Sequence, residues 1–327
     1  MKRLTTSSAK SYRACNRLYK LRVIDGIRGI KRAPALHFGT LWHGMMEVWW
    51  DSRELTGALE WLRAQPDVDP YDRAKLAALM VGYHCRWSGD GLAAVAIEEE
   101  FATPLRNPAT GAPSRTFELA GKKDGVAKDH RGTWLVEHKT SSEDISAGSV
   151  YWQKLKMDTQ ISTYYVGCRA NGHDIEGCIY DVVRKPMIKP RMATPIEKRK
   201  YRANGELYAN LRDCDETPEE YGDRLTEDIE KNPDQYYRRG EVYRLESEEI
   251  DAAKDLWQTA RAIRDSERLD SWPRNPDACF RWHRECDYWP VCTGAATVDD
   301  TSRYERVRAH EELSNNDETT NGANGND

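Results

Sequence analysis

One stretch, Gly121-Lys-Lys-Asp124-Gly-Val-Ala-Lys-Asp-His-Arg-Gly132-Thr-Trp-Leu-Val-Glu137-His-Lys139, constrains this chain more than any other. Asp-His-Arg-Gly at 129–132 is a turn signal between two runs of strand-forming residues. A loop of two residues (His130-Arg131) or of four sets the same register, in which Asp124 and Glu137 face each other across the hairpin. Their Cβ atoms are then about 5 Å apart. Lys139 lies two residues beyond Glu137 and points to the same face, while Trp134 and Val136 point the other way, into a packed layer. A three-residue loop would slip the register and break this geometry. Two carboxylates held so close repel unless a cation lies between them. A hard divalent ion with oxygen ligands meets that need, and a surface hairpin with a salt bridge is the plainer alternative.

The surrounding pattern is mixed. Helices are expected over 6–22, 40–51, 55–63, 70–87, 151–170, 216–231 and 246–267. Strands are expected over 93–101, 115–120, 122–128, 132–139 and 177–183. Asn171-Gly172 marks the end of the fifth helix. Strands bracketed by helices imply an α/β fold with a helical N-terminal part and a cysteine-rich C-terminal patch.

Charge is segregated. The chain carries 49 Lys+Arg against 54 Asp+Glu, a net −5, yet residues 1–32 hold ten bases and one acid. Residues 184–202 hold eight bases and one acid, and residues 213–230 then hold nine acids and one Arg. Two basic blocks in an acidic chain form a candidate phosphate-binding surface. The alternative is a pair of solvated faces neutralised by the acidic stretch. The tail, 311–327, is acidic and Asn/Gly/Thr-rich and is expected to be disordered. No apolar run nears the ~20 residues of a membrane span and no secretory signal is recognisable, so a cytoplasmic protein is expected.

Other polar pairs stand at helical spacing: His43 with Glu47, and Gln160 with Tyr164. Cys279, Cys286 and Cys292 crowd into DACFRWHRECDYWPVCTG, which reads as a ligand loop. A closed site needs a fourth donor. Cys85, Cys168 and Cys178 read as core thiols, and Cys214 stands in an acidic field. Cys15, among basic residues that favour a thiolate, is the best candidate, with His283 competing. The spacing lacks a CxxC pair, which favours iron–sulfur and leaves zinc open.

Together these residues resemble the PD-(D/E)XK nuclease superfamily, specifically RecB-like exonucleases with an iron–sulfur cluster: the AddB-type, CRISPR-adaptation and phage exonuclease group. The matching series is Ser8-x6-Cys15, Gly39-x3-His43, Gly121-x2-Asp124, Glu137-x-Lys139, Gln160-x3-Tyr164 and the trio Cys279, Cys286, Cys292, spanning about residues 5–293. Lys123 replaces the proline often found before the motif aspartate, and the x6 gap between Cys279 and Cys286 is wider than in some relatives.

The resemblance implies a restriction-endonuclease-like mixed sheet flanked by helices. It divides the chain into an N-terminal helical region (1–92), a nuclease core (93–270), a cysteine-rich cluster region (271–295) and an acidic, largely disordered tail (296–327). It implies that His43, Asp124, Glu137 and the main-chain carbonyl of His138 hold Mg²⁺ or Mn²⁺. Lys139 would position or activate the attacking water, and Gln160 and Tyr164 would orient DNA and the lysine. Cys15 would join the trio around a 4Fe–4S cluster, with zinc as the alternative. The implied activity is metal-dependent exonucleolytic cleavage of single-stranded DNA or strand ends in recombination, repair or phage DNA processing, beside a helicase or recombinase. The alternatives are a non-catalytic DNA-binding accessory module or a CRISPR-adaptation-type nuclease.

Overall fold

The computed structural model describes residues 1–31, 34–155, 157–281, 284–310 and 313. The tail beyond residue 313, and His283 as a competing ligand, lie outside the described residues.

The chain opens with β1 (Lys2–Leu4), α1 (Thr6–Ala14) and α2 (Asn16–Tyr19), which runs into a π-helical turn over Lys20–Ile24. The single helix expected over 6–22 is therefore interrupted. At Cys15 the backbone is extended (φ −164°, ψ 122°). The cause is non-local: the Asn275 side chain donates to the Ala14 carbonyl at 2.9 Å, and the Arg17 N–H donates to the Pro273 carbonyl at 3.2 Å.

After β2 (Ile27–Gly29) come α3 (Pro34–Ser52), α4 (Leu55–Ala64) and α5 (Pro70–Trp87). The α3 helix starts six residues before the expected Thr40, with Pro34 in its first turn, where the missing N–H costs nothing. The sheet strands follow: β3 (Ala93–Arg106), β4 (Pro113–Asp129) and β5 (Gly132–Ser141). The two strands expected over 115–128 are one, because Gly121 is no turn. A Cβ there would lie 2.9 Å from the Phe101 ring and 3.3 Å from Tyr164, so glycine supplies room rather than flexibility. The helix expected over 151–170 divides into α6 (Val150–Leu155) and α7 (Thr159–Ala170), the second opened by Asp158 accepting from the Gln160 N–H. The chain continues through β6 (Gly177–Arg184), α8 (Pro218–Lys231), α9 (Pro233–Tyr236), β7 (Tyr237–Val242) and α10 (Glu246–Leu269). A C-terminal lobe adds β8 (Phe280–Arg281), β9 (Arg284–Glu285), α11 (Trp289–Thr293) and β10 (Tyr304–Arg306), which pairs with β2.

The result is a mixed α/β fold with a six-stranded central sheet, in order β1-β4-β5-β6-β7 with β3 on the other edge of β4. One sheet face packs on α3, α5 and α8 through Ala127, Trp134, Val136 and Ile179. The opposite face packs on α7 through Val126, Leu135, Cys178 and Val182. On the edge away from β3, β4 pairs first with β1 at Phe117–Leu119 and later with β5 at Gly125–Asp129. Between them, over residues 120–124, no strand among the described residues is paired on that edge. The site described next lies in this opening. No described helix is long and apolar enough to cross a membrane.

Candidate active site

The hairpin has the expected register. Gly125 pairs with Val136 and Asp129 with Gly132, across the two-residue turn His130-Arg131. The ladder then stops one pair short of the carboxylates. There Asp124 Oδ2 accepts the His138 N–H at 2.8 Å, a side chain standing in for the next strand partner. Glu137, 1% exposed, lies on the face that carries Leu135. Lys139 Nζ contacts Glu137 Oε1, and Gln160 Nε2 donates to the same oxygen at 2.7 Å and to Tyr164 Oη at 3.1 Å. Because Gln160 and Tyr164 are one turn apart on α7, the helix presents both to the strand edge.

From the other side α3 brings His43, whose Nδ1 is 3.5 Å from Asp124 Oδ1. His138 sends its imidazole to the opposite face. Its Nδ1 is 3.3 Å from Asp181 Oδ2, beside Tyr83, Arg239 and Trp50. Its amide, not its ring, therefore belongs to the site.

Glu98 was not recognisable as a site residue from sequence. Ile97 pairs with Gly125 and Glu99 with Lys123, so Glu98 lies level with Asp124. Its φ of +50° is one that a side chain-bearing residue rarely adopts. Ligand atoms of His43, Glu98 and Asp124 all lie within 4.8 Å of one another. Lys122 Nζ holds Glu98 Oε2 at 2.6 Å. Three consecutive glutamates at 98–100 gave no signal of which one would turn inward.

The electrostatics describe a site short of positive charge. Burial disfavours the Asp124 carboxylate, but His43 and then Lys139 and His138 outweigh it and hold the carboxyl well below its usual range. For Glu137 burial wins, reinforced by the Asp124 charge, and its carboxyl is pushed up despite Lys139. Burial also pushes Glu98 up, in spite of Lys122. Burial opposes the Lys139 charge, yet Glu137 and Asp124 raise its affinity for a proton, so it is an ammonium. Glu137 Oε2 is buried with no hydrogen-bond partner among the described residues. An orphaned carboxylate oxygen, two more carboxylates and one imidazole make a donor set that suits a hard divalent cation such as Mg²⁺ or Mn²⁺. The cleft of about 860 Å³ over the site is also lined by Thr5, Lys10, Leu36 and Lys185.

A second group of donors joins the two ends of the chain. Cys15 Sγ accepts the Asn275 N–H at 3.4 Å, and the Cys286 N–H donates to the Cys279 carbonyl at 2.8 Å. Burial pushes the Cys292 thiol up, Arg17 opposes this, and Cys15 and Cys279 reinforce it. Burial does the same to Cys286, with Cys279 and Cys292 adding to it. Cys292 thus feels Cys15 and Cys279, Cys286 feels Cys279 and Cys292, and the break at Cys15 sets its sulfur against the Asn275 N–H. Cys168 and Cys178 are core thiols as expected, but Cys85 is exposed on α5, so its apolar surroundings in sequence did not translate into burial. Cys214 is exposed, with its thiol pushed up by Asp213.

No curated protein matches the chain. Among solved structures, one titled "Crystal structure of SSO0001" is similar at 10% identity and a TM-score of 0.32, covering 79% of this chain and 76% of that one. A family profile, that of the PD-(D/E)XK nuclease superfamily, matches residues 3–293. That span takes in every element contributing to the cleft, and the chain belongs to the PD-(D/E)XK superfamily of metal-dependent nucleases that act on DNA.

Proposed function

We propose that the protein is a Mg²⁺- or Mn²⁺-dependent DNA exonuclease that acts on single strands or strand ends. The observation that carries this reading is the pairing of an orphaned, buried Glu137 Oε2 with a lysine already held on the other oxygen of the same carboxylate. His43, Asp124, Glu137 and the His138 carbonyl would hold the cation, with Glu98 completing the carboxylate set. A cation bound there supplies Lewis acidity to the scissile phosphate. Lys139, kept protonated by Glu137 and Asp124, donates hydrogen bonds. It can orient the attacking water or offset charge growing on phosphoryl oxygens, but it is no general base in this state. Gln160 fixes Glu137 from α7 and ties Tyr164 to it. Lys185, from the second basic block, lines the cleft and suits a phosphate backbone, and Lys10 lines it while paired with Asp158 at 3.0 Å.

The proposal extends to a 4Fe–4S cluster on Cys15, Cys279, Cys286 and Cys292, with zinc as the alternative metal. Its support is the influence of Cys15 and Cys279 on Cys292, that of Cys279 and Cys292 on Cys286, and the tie of the Cys15 segment to Asn275, just before the cysteine trio. A cross-link from residue 15 to residue 292 closes a long loop, where restricting the unfolded chain is most stabilising. Work in recombination, repair or phage DNA processing, beside a helicase or recombinase, completes the reading.

The test is digestion of end-labelled single- and double-stranded DNA with Mg²⁺ or Mn²⁺, with a covalently closed circle alongside. Cleavage of linear DNA that spares the circle is expected, and Lys139→Ala should lose roughly 10²–10³-fold in rate. Wild-type rates in Lys139→Ala or Asp124→Ala would overturn the assignment, and a cut circle would replace exonuclease with endonuclease.

A further inference from the structure

A second cavity, of about 550 Å³, adjoins the catalytic cleft, and the two share Ser7, Leu36 and Thr40 as a common wall. Its walls come from distant parts of the chain: the π-helical turn after α2, strand β2, the start of α3, the cysteine-rich lobe and the segment after β10. Tyr288 closes the floor by donating its hydroxyl to the Ile27 carbonyl at 2.6 Å. Gly26 makes the seam possible. Its φ is +65°, and a Cβ there would lie 2.2 Å from the Val307 carbonyl oxygen.

The lining is strongly cationic. Arg22, Arg28, Lys31, Arg281, Arg284 and Arg308 face it, against two carboxylates, Glu285 and Asp287. Asp287 is already engaged by Arg284 at 2.9 Å. Arg22, Lys31, Arg281 and Arg308 form no ion pair among the described residues. Elsewhere in the N-terminal basic block Lys2 pairs with Glu267, Arg3 with Glu118, Lys10 with Asp158 and Lys20 with Asp25, while Arg13 and Arg17 form no ion pair among the described residues. Like charges gathered from separate segments repel, and a polyanion bound in the cavity would offset that cost. The Ser7 hydroxyl faces the cavity as well, whereas those of Ser11 and Thr40 already donate to the Ser7 and Leu36 carbonyls.

We propose that this cavity is a second nucleic-acid subsite, holding the phosphate backbone of a single strand whose other part lies in the catalytic cleft. Resting on the nuclease reading, the inference deepens it: the enzyme grips its substrate across the shared wall, so affinity depends on a strand long enough to cross it. The occupant is a single strand because the charges line a cavity rather than a broad face, which suits one backbone tracked along a groove.

The test is a binding measurement without divalent metal, so that no cleavage is needed. Fluorescence anisotropy would compare labelled oligothymidylates of about four and about twenty nucleotides, chosen to bracket a single-strand site. Arg22→Glu/Arg281→Glu should weaken binding of the long strand roughly tenfold or more, and lower the slope of log K against log salt by about 0.7 for each phosphate no longer neutralised. The short strand should show no comparable loss. Arg308→Gln, a milder change, should give a smaller loss in the same direction if the double variant does not fold. Arg268→Glu on α10, which lines neither cavity, controls for a charge reversal elsewhere on the surface. A loss no greater than that of Arg268→Glu, or an equal loss on the short strand, would overturn the proposal. Long strands gripped through these arginines by a protein that cuts nothing would uphold the subsite and sink the nuclease reading. Cutting by a protein indifferent to the reversals would do the opposite.

Discussion

Glu98 offers the sharpest test of how the fold serves the site, because its backbone and its charge can be altered separately. A side chain-bearing residue at φ +50° sits in the left-handed region at a cost of about 1–2 kcal/mol. Glycine removes that cost. The variant Glu98→Gly also loses the Lys122 pair, which is part-exposed and contributes about 0–1 kcal/mol. The two terms nearly cancel, and loss of the repulsion from Asp124 favours the variant. Metal-free Glu98→Gly should therefore melt within about 2 °C of wild type, or slightly above it. Glu98→Gln keeps the strained backbone and loses a charge that burial and Asp124 disfavour more than Lys122 supports, so without metal it should melt at or slightly above wild type. Magnesium separates function from strain. A ligand at 100 times its Kd stabilises by about 2.7 kcal/mol, and each tenfold loss of affinity removes about 1.4 kcal/mol of that. Both variants should gain visibly less from Mg²⁺ than wild type in a thermal-shift titration. Refutation would come from an unchanged Mg²⁺ dependence in both. It would come equally from a Glu98→Gly protein that melts many degrees lower without metal, since the kink would then be fixed by ordinary packing.

Two further outcomes follow from other parts of the molecule. Cys15→Ser should lose bound iron and about 2–4 kcal/mol of stability, whereas Cys85→Ser, on an exposed thiol, should lose neither; iron analysis of anaerobically prepared protein with calorimetry decides, and equal iron in both variants would remove Cys15 from the cluster. Glu216 is buried and accepts from Arg224 and from the Arg191 N–H, and Arg224 holds its carboxyl down at about 2, so its contribution is complete above the ordinary range near 4.5 and is lost as pH falls through 2. The contribution is at most about 3 kcal/mol. Hydrogen exchange over residues 185–217 should accelerate between pH 4.5 and 2, and Glu216→Gln should show the same loosening at neutral pH; protection indifferent to both would contradict the anchor.

What the sequence made legible was local. The hairpin register followed from a two-residue turn and the period of two, which left Asp124, Glu137 and Lys139 no other face. Gln160 and Tyr164 followed from helical spacing. Features decided by distant partners stayed hidden. The break at Cys15 depends on hydrogen bonds from a segment some 260 residues away in sequence. Fusion of two expected strands into β4 depends on Phe101 and Tyr164 crowding Gly121. Glu98 depends on a backbone kink that no propensity encodes.

Charge shows the same division most plainly. By counting, both blocks are strongly basic, but their partners differ. In the second, the acidic stretch folds back: Glu216 takes the Arg191 N–H, Asp215 takes the Ala193 N–H, and the Asp213 carbonyl takes the Arg199 guanidinium. Much of that block's backbone and part of its charge are thus engaged within the segment. In the first block, Arg22 and Lys31 have no ion-pair partner among the described residues and instead face Arg281 and Arg308 across a cavity. A charge run becomes a binding surface only where the fold withholds its counter-charges, and here the fold withholds them beside the catalytic cleft.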